Sequence, residues 1–258
     1  MKIVKTILIL LICIAAVPTN AQTAEEIVNN YIENTGGMDA WQSINGWTAT
    51  GDAMMGGQSF AFEQSMMADG RMAVVIDLQG QKMTVQAFDG EQLWSTNFQS
   101  MQAEAADKEA SENYLRNEAK DFPDPIVNYK KNGYKLELLG EETVEGTECY
   151  KVVVTKNPIM VDGEEKPNVN TYYFDKESFV PLVIESTINQ GPMAGMTTQT
   201  VNSEYMQAGD VYIPFSITQK FNGQVGQTIK IKDVEMNPEI EASLFKMPEA
   251  VETSDKND

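Results

Sequence analysis

The spacing of the apolar residues changes from helical to alternating at Trp47, and that change constrains the fold more than any other feature. Near the N-terminus, Thr23 and Glu26 have the spacing of a helix capping box. The apolar residues that follow recur at helical spacing: Ile27, Val28, Tyr31 and Ile32. From Trp47 onward, apolar and polar residues alternate instead. The sequence therefore predicts one short amphipathic helix, ended by glycines 36 and 37, and then a long series of strands.

The predicted strands are joined by tight turns, and each strand has one apolar face. Asp69-Gly70 and Asp89-Gly90 favour such turns because glycine adopts a positive φ without strain. The opposite faces carry Gln, Thr, Asp and Glu, which is typical of an antiparallel sheet with one solvated side. In the second half of the chain, strands are predicted at 134–144, 146–155, 170–175, 180–188, 197–205, 211–221 and 224–234.

Two segments interrupt the strand pattern. The Ala- and Glu-rich segment 102–122 is predicted to be a helix that ends before two prolines, and 157–167 is predicted to be a loose polar loop. About a dozen strands with two helical segments indicate a mainly β fold with a few helices (α+β). Because a long twisted sheet must curl, split or close, we expect a large curled antiparallel sheet or incomplete β-barrel. The N-terminal helix and the mid-chain helix would cover it.

The N-terminus predicts export. Lys2 and Lys5 precede an apolar core at 6–17, and this core is too short to span a membrane. We expect a signal peptide over residues 1–21, cleaved after Ala21, and a final location in the periplasm or beyond it. Cys13 is interpreted as part of the apolar core, because Ile12 stands where lipoprotein processing requires a small side chain.

The remaining chain is predicted to form one β domain over 22–248. The tail 249–258 has no apolar anchor and is predicted to be disordered.

The chain is strongly acidic, with 38 Asp and Glu against 19 Lys and Arg and a formal net charge of −19. Binding to nucleic acid depends on cations that neutralise phosphates, so this composition argues against nucleic acid as a partner. Anionic membrane surfaces are disfavoured for the same reason. The simplest explanation of the charge is the solubility of an exported protein.

The sequence offers little for catalysis. It has no histidine, which excludes Ser-His-Asp and Cys-His arrangements and His-based zinc sites. Cys149 lies in an apolar strand pattern and is predicted to be a buried, unreactive thiol. Phosphate-binding, dinucleotide-binding and calcium-loop motifs are absent, so neither a cofactor nor a metal is predicted. Neighbouring acids such as Asp121 and Asp124 leave a two-carboxylate carbohydrate hydrolase open as an alternative.

Methionine is unusually frequent, with 15 residues. Flexible thioethers fill irregular cores, and they also line surfaces that accept varied apolar partners. The sequence leaves both interpretations open. The strand positions predicted to form one concave, ligand-binding surface are Phe60, Phe62, Met66, Met72, Val74, Ile76, Met83, Val85, Trp94, Tyr172, Phe174, Leu182, Ile184, Ile213, Phe215, Ile217, Ile229 and Ile231.

Short motifs carry a resemblance to a known family. The segment 69–72 (DGRM), a strand, and then 88–94 (FDGEQLW) is similar to the Arg … Asp-Gly-x-x-Leu-Trp segment of periplasmic outer-membrane lipoprotein carriers of the LolA type. In the second half, 140–146 (GEETVEG), 172–178 (YYFDKES) and 244–248 (LFKMP) resemble the related lipoprotein-sorting and RseB-like domains. In order of elements, the resemblance covers nearly all of the chain after the predicted signal.

The resemblance implies an open, incomplete β-barrel whose apolar inner side is covered by helices. Lipid or lipoprotein acyl chains would lie between sheet and helices, and membrane-anchored transport proteins would be further partners. The matching position also implies that Arg71 contacts the lid, although the family arginine is followed by proline and Arg71 by Met72. We therefore expect a non-catalytic carrier for apolar ligands, with an RseB-like envelope sensor that binds a protein as the alternative.

Overall fold

The computed structural model describes residues 22–189 and 193–249. The strands are β1 Gly46–Met55, β2 Gln58–Met67, β3 Met72–Leu78, β4 Gln81–Phe88, β5 Leu93–Asn97, β6 Gln102–Ala105, β7 Lys135–Val144, β8 Thr147–Thr155, β9 Ile159–Val161, β10 Glu164–Lys166, β11 Val169–Asp175, β12 Pro181–Thr187, β13 Thr197–Ala208, β14 Val211–Phe221 and β15 Gln224–Met236. The predicted signal peptide and residues 250–258 of the predicted tail lie outside the described residues, so these boundaries stay predictions.

Thirteen strands form one antiparallel sheet in the order β6-β5-β4-β3-β2-β1-β15-β14-β13-β12-β11-β8-β7. Neighbouring strands of this sheet are consecutive in the chain, except that β1 pairs with β15 and β8 pairs with β11. The sheet ends at β6 and β7 and is not closed into a barrel. The predicted mainly β fold is confirmed, and all seven strands predicted in the second half are present with ends within three residues.

The predicted N-terminal helix is also confirmed, as α1 (Ala24–Asn34). Its capping box is complete: Thr23 Oγ1 accepts from the Glu26 amide at 3.2 Å, and Glu26 Oε2 accepts from the Thr23 amide at 2.8 Å. The short helix α2 (Met38–Gln42) follows and buries Trp41, whose Nε1 donates to Thr35 Oγ1 at 3.0 Å. The apolar stripe of α1 and the Trp41 ring belong to the same core as the sheet.

The prediction of one continuous helix over 102–122 is wrong. Its first residues form β6, which pairs with β5, and helix occurs only in α3 (Lys108–Arg116) and α4 (Glu118–Asp121). A further short helix, α5 (Tyr129–Asn132), precedes β7. The Ala-rich composition favours helix locally, but pairing with an adjacent strand overrides this weak preference.

The prediction of a loose loop at 157–167 is also wrong, because β9 and β10 pair there as a hairpin. This hairpin docks on α3. Asn113 Oδ1 accepts from the Met160 amide at 2.8 Å, and Asn113 Nδ2 donates to the Met160 carbonyl at 2.7 Å. Glu109 accepts from the amides of Asp162 and Gly163. Since α3 follows β6 and the hairpin follows β8, this hairpin–α3 contact joins segments from near the two ends of the open sheet.

Apolar clusters lie on both faces of the sheet. We call the face on which α1 packs the inner face, and the main core lies there. On the outer face, Phe245, from the 3-10 helix Ala242–Phe245, packs against Ala73, Ala87 and Trp94. A second outer cluster surrounds Cys149, which is fully buried, as predicted. Burial raises the pKa of this thiol and so disfavours the reactive thiolate.

Candidate functional site

The register of the strands tests whether the predicted ligand-binding positions share a face. Residues directly opposite each other on paired strands point to the same side of a sheet. On that basis fifteen of the predicted residues lie on the inner face: Phe60, Phe62, Met66, Met72, Val74, Ile76, Met83, Tyr172, Phe174, Ile184, Ile213, Phe215, Ile217, Ile229 and Ile231.

Three predicted residues do not belong to this set. Trp94 lies on the outer face, where its Nε1 donates to the Phe245 carbonyl at 2.9 Å. Leu182 packs on the outer cluster around Cys149, because a bulge between β11 and β12 shifts the alternation there. Val85 falls within the bulge of β4 and has no directly opposite partner on β3. For Trp94 and Leu182, the predicted place on the ligand-binding face is corrected.

Part of the inner face is a filled core. Tyr172, Phe174, Ile213 and Phe215 are all at most 7% exposed, and they pack with the apolar stripe of α1. The ring of Tyr31 from α1 lies 6.0 Å from that of Phe174. In this region the aromatic and aliphatic side chains form a close-packed core.

The other part of the inner face lies outside that core. One row across four strands contains Ile217, Ile229, Ala53 and Phe60. The adjacent row passes from Ile231 across Gly51 to Phe62, Ile76 and Met83. We call six of these side chains the open rows: Phe60, Phe62, Ile76, Met83, Ile217 and Ile229. Five of them are half-buried, Phe62 is 8% exposed, and none belongs to the core under α1.

Amide side chains border the open rows on the side away from α1. The next row of the sheet contains Gln219, Gln227, Met55 and Gln58. Gln227 Nε2 donates to Gln219 Oε1 at 2.6 Å, so these amides satisfy each other across β14 and β15. The open rows therefore form an apolar band with a polar edge.

Gly51 interrupts the second row for a steric reason. It lies at a register shift between β1 and β15, and a Cβ placed there would approach the Lys230 carbonyl oxygen to 2.0 Å. Only glycine fits this close approach of two backbones.

Acidic residues are found between α1 and the segment that follows α4. Asp124 accepts hydrogen bonds from Tyr31 Oη at 3.1 Å and from the amides of Ile126 and Val127 at 2.7 and 2.9 Å. Burial raises the pKa of Asp124 to about 6, and burial together with this carboxylate raises the pKa of Tyr31. The Tyr31–Asp124 hydrogen bond therefore joins α1 to the segment that follows α4, and both of these pack on the inner face.

The neighbouring acid, Asp121, has different partners. It forms an ion pair with Lys156 and accepts from Tyr134 Oη at 2.7 Å. Asp121 and Asp124 are therefore each bound to structural partners. They are not two acids facing each other across an accessible cleft, which a carboxylate hydrolase requires.

Arg71 does not contact a helix of the inner face in the way the resemblance implies. Its guanidinium forms an ion pair with Asp69 at 2.8 Å and lies 5.0 Å from the ring centroid of Phe245. Arg71 therefore faces the C-terminal segment. No local sequence pattern near Arg71 indicates this contact.

Within 22–189 and 193–249, no group of three or more potential metal ligands is close enough to hold an ion. None of the helices in the same ranges combines the length and the apolar character needed to cross a bilayer.

No protein-family model matches the chain, and no curated protein sequence matches it. Solved structures match it in fold. A LolA-superfamily protein from Nitrosomonas europaea has a TM-score of 0.52 and 13% identity, over 88% of this chain and 98% of that chain. A domain from Vibrio parahaemolyticus, proposed to sort outer-membrane lipoproteins, has a TM-score of 0.53 and 12% identity, over 85% and 94%. At such identities the likeness shows the fold alone, and at that level the predicted resemblance is confirmed.

Proposed function

We propose that this protein is a non-catalytic, exported carrier that holds lipidated or otherwise apolar ligands, such as lipoprotein acyl chains, against the open rows. The observation that carries the proposal is the pair of adjacent apolar rows across β14, β15, β1, β2, β3 and β4, outside the filled core. Affinity would come from apolar area removed from water, about 25 cal/mol per Å². The likeness in fold to lipoprotein-sorting domains supports the same class of ligand.

The test is binding of a neutral apolar probe, N-phenyl-1-naphthylamine, to the wild type and to Ile76→Asn. An amide that faces bound apolar groups without a partner costs about 1–3 kcal/mol, so we expect affinity to fall about ten-fold or more. Val225→Asn is the matched control, because Val225 is 63% exposed at the β14–β15 turn, and it should bind the probe as the wild type does.

Thermal unfolding of the same variants separates a binding surface from a core. Because Ile76 is half-buried, its substitution should lower the melting temperature only modestly. The carrier proposal fails if the wild type binds no probe. It also fails if Ile76→Asn loses stability while probe affinity is unchanged.

We propose the periplasm as the compartment, with membrane-anchored transport proteins as further partners. The motivation is the predicted signal at 1–21. N-terminal sequencing of the exported protein should give Gln22, and an acylated Cys13 or an uncleaved N-terminus would contradict this.

A further inference from the structure

A cavity of about 410 Å³ lies between the N-terminal helices and the segment after α4. Its walls combine buried apolar side chains with polar groups. The apolar part consists of Ile32, Trp41, Ile44, Phe122 and Val127, each at most 6% exposed. The volume is within the range of small-molecule sites. Phe122 also packs edge-on against Trp47 of the inner face, with ring centroids 4.9 Å apart, so the cavity floor is continuous with the main core.

The charge of this cavity is opposite to that of the protein. Lys130 and Lys131 line it, and none of its fifteen lining residues is acidic. A second cavity of about 480 Å³ shares Phe122 and Lys131 with it and adds Lys120. The second cavity includes Asp69, whose carboxylate is already bound to Arg71.

These lysines form no ion pair with a carboxylate of the described residues, although Glu25 acts on Lys130 from beyond ion-pair distance. Of the sixteen lysines and arginines in 22–189 and 193–249, ten form ion pairs. Three of the six others are Lys120, Lys130 and Lys131. In a chain with twice as many acids as bases, cations left without such a partner and gathered around two adjoining cavities indicate an anionic ligand group.

A buried hydroxyl lies at the same place. Tyr129, which lines the first cavity, is 5% exposed, and its hydroxyl lies close to the Lys130 ammonium but makes no hydrogen bond of ordinary geometry within the described residues. The Lys130 Nζ lies 5.4 Å from the centroid of its ring. Buried hydroxyls without a partner are rare, and a polar ligand group reaching this site would satisfy it.

We infer that this cavity binds an amphiphile with an anionic headgroup, phosphate or carboxylate. The headgroup lies at Lys130 and Lys131, with Lys120 beside it, and the start of the apolar chain lies against Trp41, Ile44 and Phe122. The inference rests on the proposed function in that the carried ligand is an amphiphile, and it adds the headgroup charge and its location. The net charge of −19 disfavours anionic surfaces in general, so recognition depends on this local group of lysines.

The test compares two monomeric probes with the same chain, hexadecyl phosphate and hexadecylphosphocholine, by calorimetry below their micelle concentrations. The wild type should bind the anionic probe about ten times more tightly, and less tightly as salt rises. The double variant Lys130→Glu/Lys131→Glu should lose this preference. The control Lys135→Glu/Lys246→Glu makes the same change in net charge at two lysines that are exposed, as Lys130 and Lys131 are, but that line neither cavity, and it should keep the preference.

Each outcome separates this inference from the proposed function. Equal binding of both probes, unchanged in the lysine variant, overturns the headgroup site but leaves an apolar carrier. Inorganic phosphate binding as tightly as hexadecyl phosphate shows an anion site without an amphiphile and overturns the inference. Lysine-dependent binding to vesicles of phosphatidylglycerol, without binding of the monomeric probe, indicates a membrane-docking surface and also overturns it. Loss of the preference in the control variant shows a nonspecific charge effect and likewise overturns the headgroup site.

Discussion

Asp124 is expected to make the stability of this protein fall as pH rises from about 4 to about 6. The carboxyl lies between α1 and the segment before β7, and burial raises its pKa from 3.8 to about 6. Below the lower value it is protonated in both folded and unfolded chains. Between the two values the unfolded chain releases its proton while the folded chain keeps it, so deprotonation favours the unfolded state. Above pH 6 both states are ionised and the effect is constant.

The magnitude follows from the difference between the two pKa values. Each unit corresponds to 1.36 kcal/mol, so this group removes about 3 kcal/mol of unfolding free energy over its whole titration, of which about 2 kcal/mol is lost between pH 4 and pH 7. Three hydrogen bonds, from Tyr31 Oη and the amides of Ile126 and Val127, already favour the charged form and limit the rise. A shift of this size remains because burial outweighs them.

The perturbation is Asp124→Asn, which keeps the shape and removes the titration. Urea unfolding at pH 4, 5, 6 and 7 gives the unfolding free energy of wild type and variant. Relative to the wild type, the variant should gain about 2 kcal/mol of unfolding free energy between pH 4 and pH 7. Asp162→Asn makes the same charge change in an exposed turn and should give a curve parallel to the wild type. Parallel curves for Asp124→Asn and the wild type would refute the reasoning.

Two further predictions concern contacts that the sequence did not indicate. Asn113→Ala removes both hydrogen bonds to Met160 and should speed hydrogen exchange in β9 and β10, with a loss of about 1–3 kcal/mol in local stability. Unchanged exchange would show that the hairpin does not depend on α3. Trp94→Phe leaves the Phe245 carbonyl without the indole donor at 2.9 Å, and the unfolding free energy measured in urea should fall by about 1–3 kcal/mol. A change below about 0.5 kcal/mol would mean that water replaces the donor.

The sequence determined the elements whose signals are local. The capping box at Thr23 and Glu26 predicted where α1 begins, because the two residues satisfy each other's backbone amides three positions apart. The alternation of apolar residues predicted the strands and the face that most of them bury. Asp69-Gly70 and Asp89-Gly90 form turns in which both glycines have positive φ, at 91° and 110°.

Bulges decided which residues departed from that pattern. Side-chain direction alternates with a period of two, so one extra residue in a strand reverses the face of everything beyond it until the register recovers. Leu182 and Val85 lie at such positions, and nothing in their immediate sequence marks the extra residue. β6 was not predicted, because its strand conformation depends on pairing with β5 rather than on its own composition.

Tertiary structure alone decided how the inner face is divided. Phe215 and Ile217 are two residues apart on the same face of β14, yet Phe215 is buried under the N-terminal helices and Ile217 lies in the open rows. The difference depends on where α1 packs, which no local pattern encodes. The lysine-lined cavity has the same origin. Trp41 and Lys130, from its two walls, are 89 residues apart in sequence, and they meet only because both segments pack on one sheet.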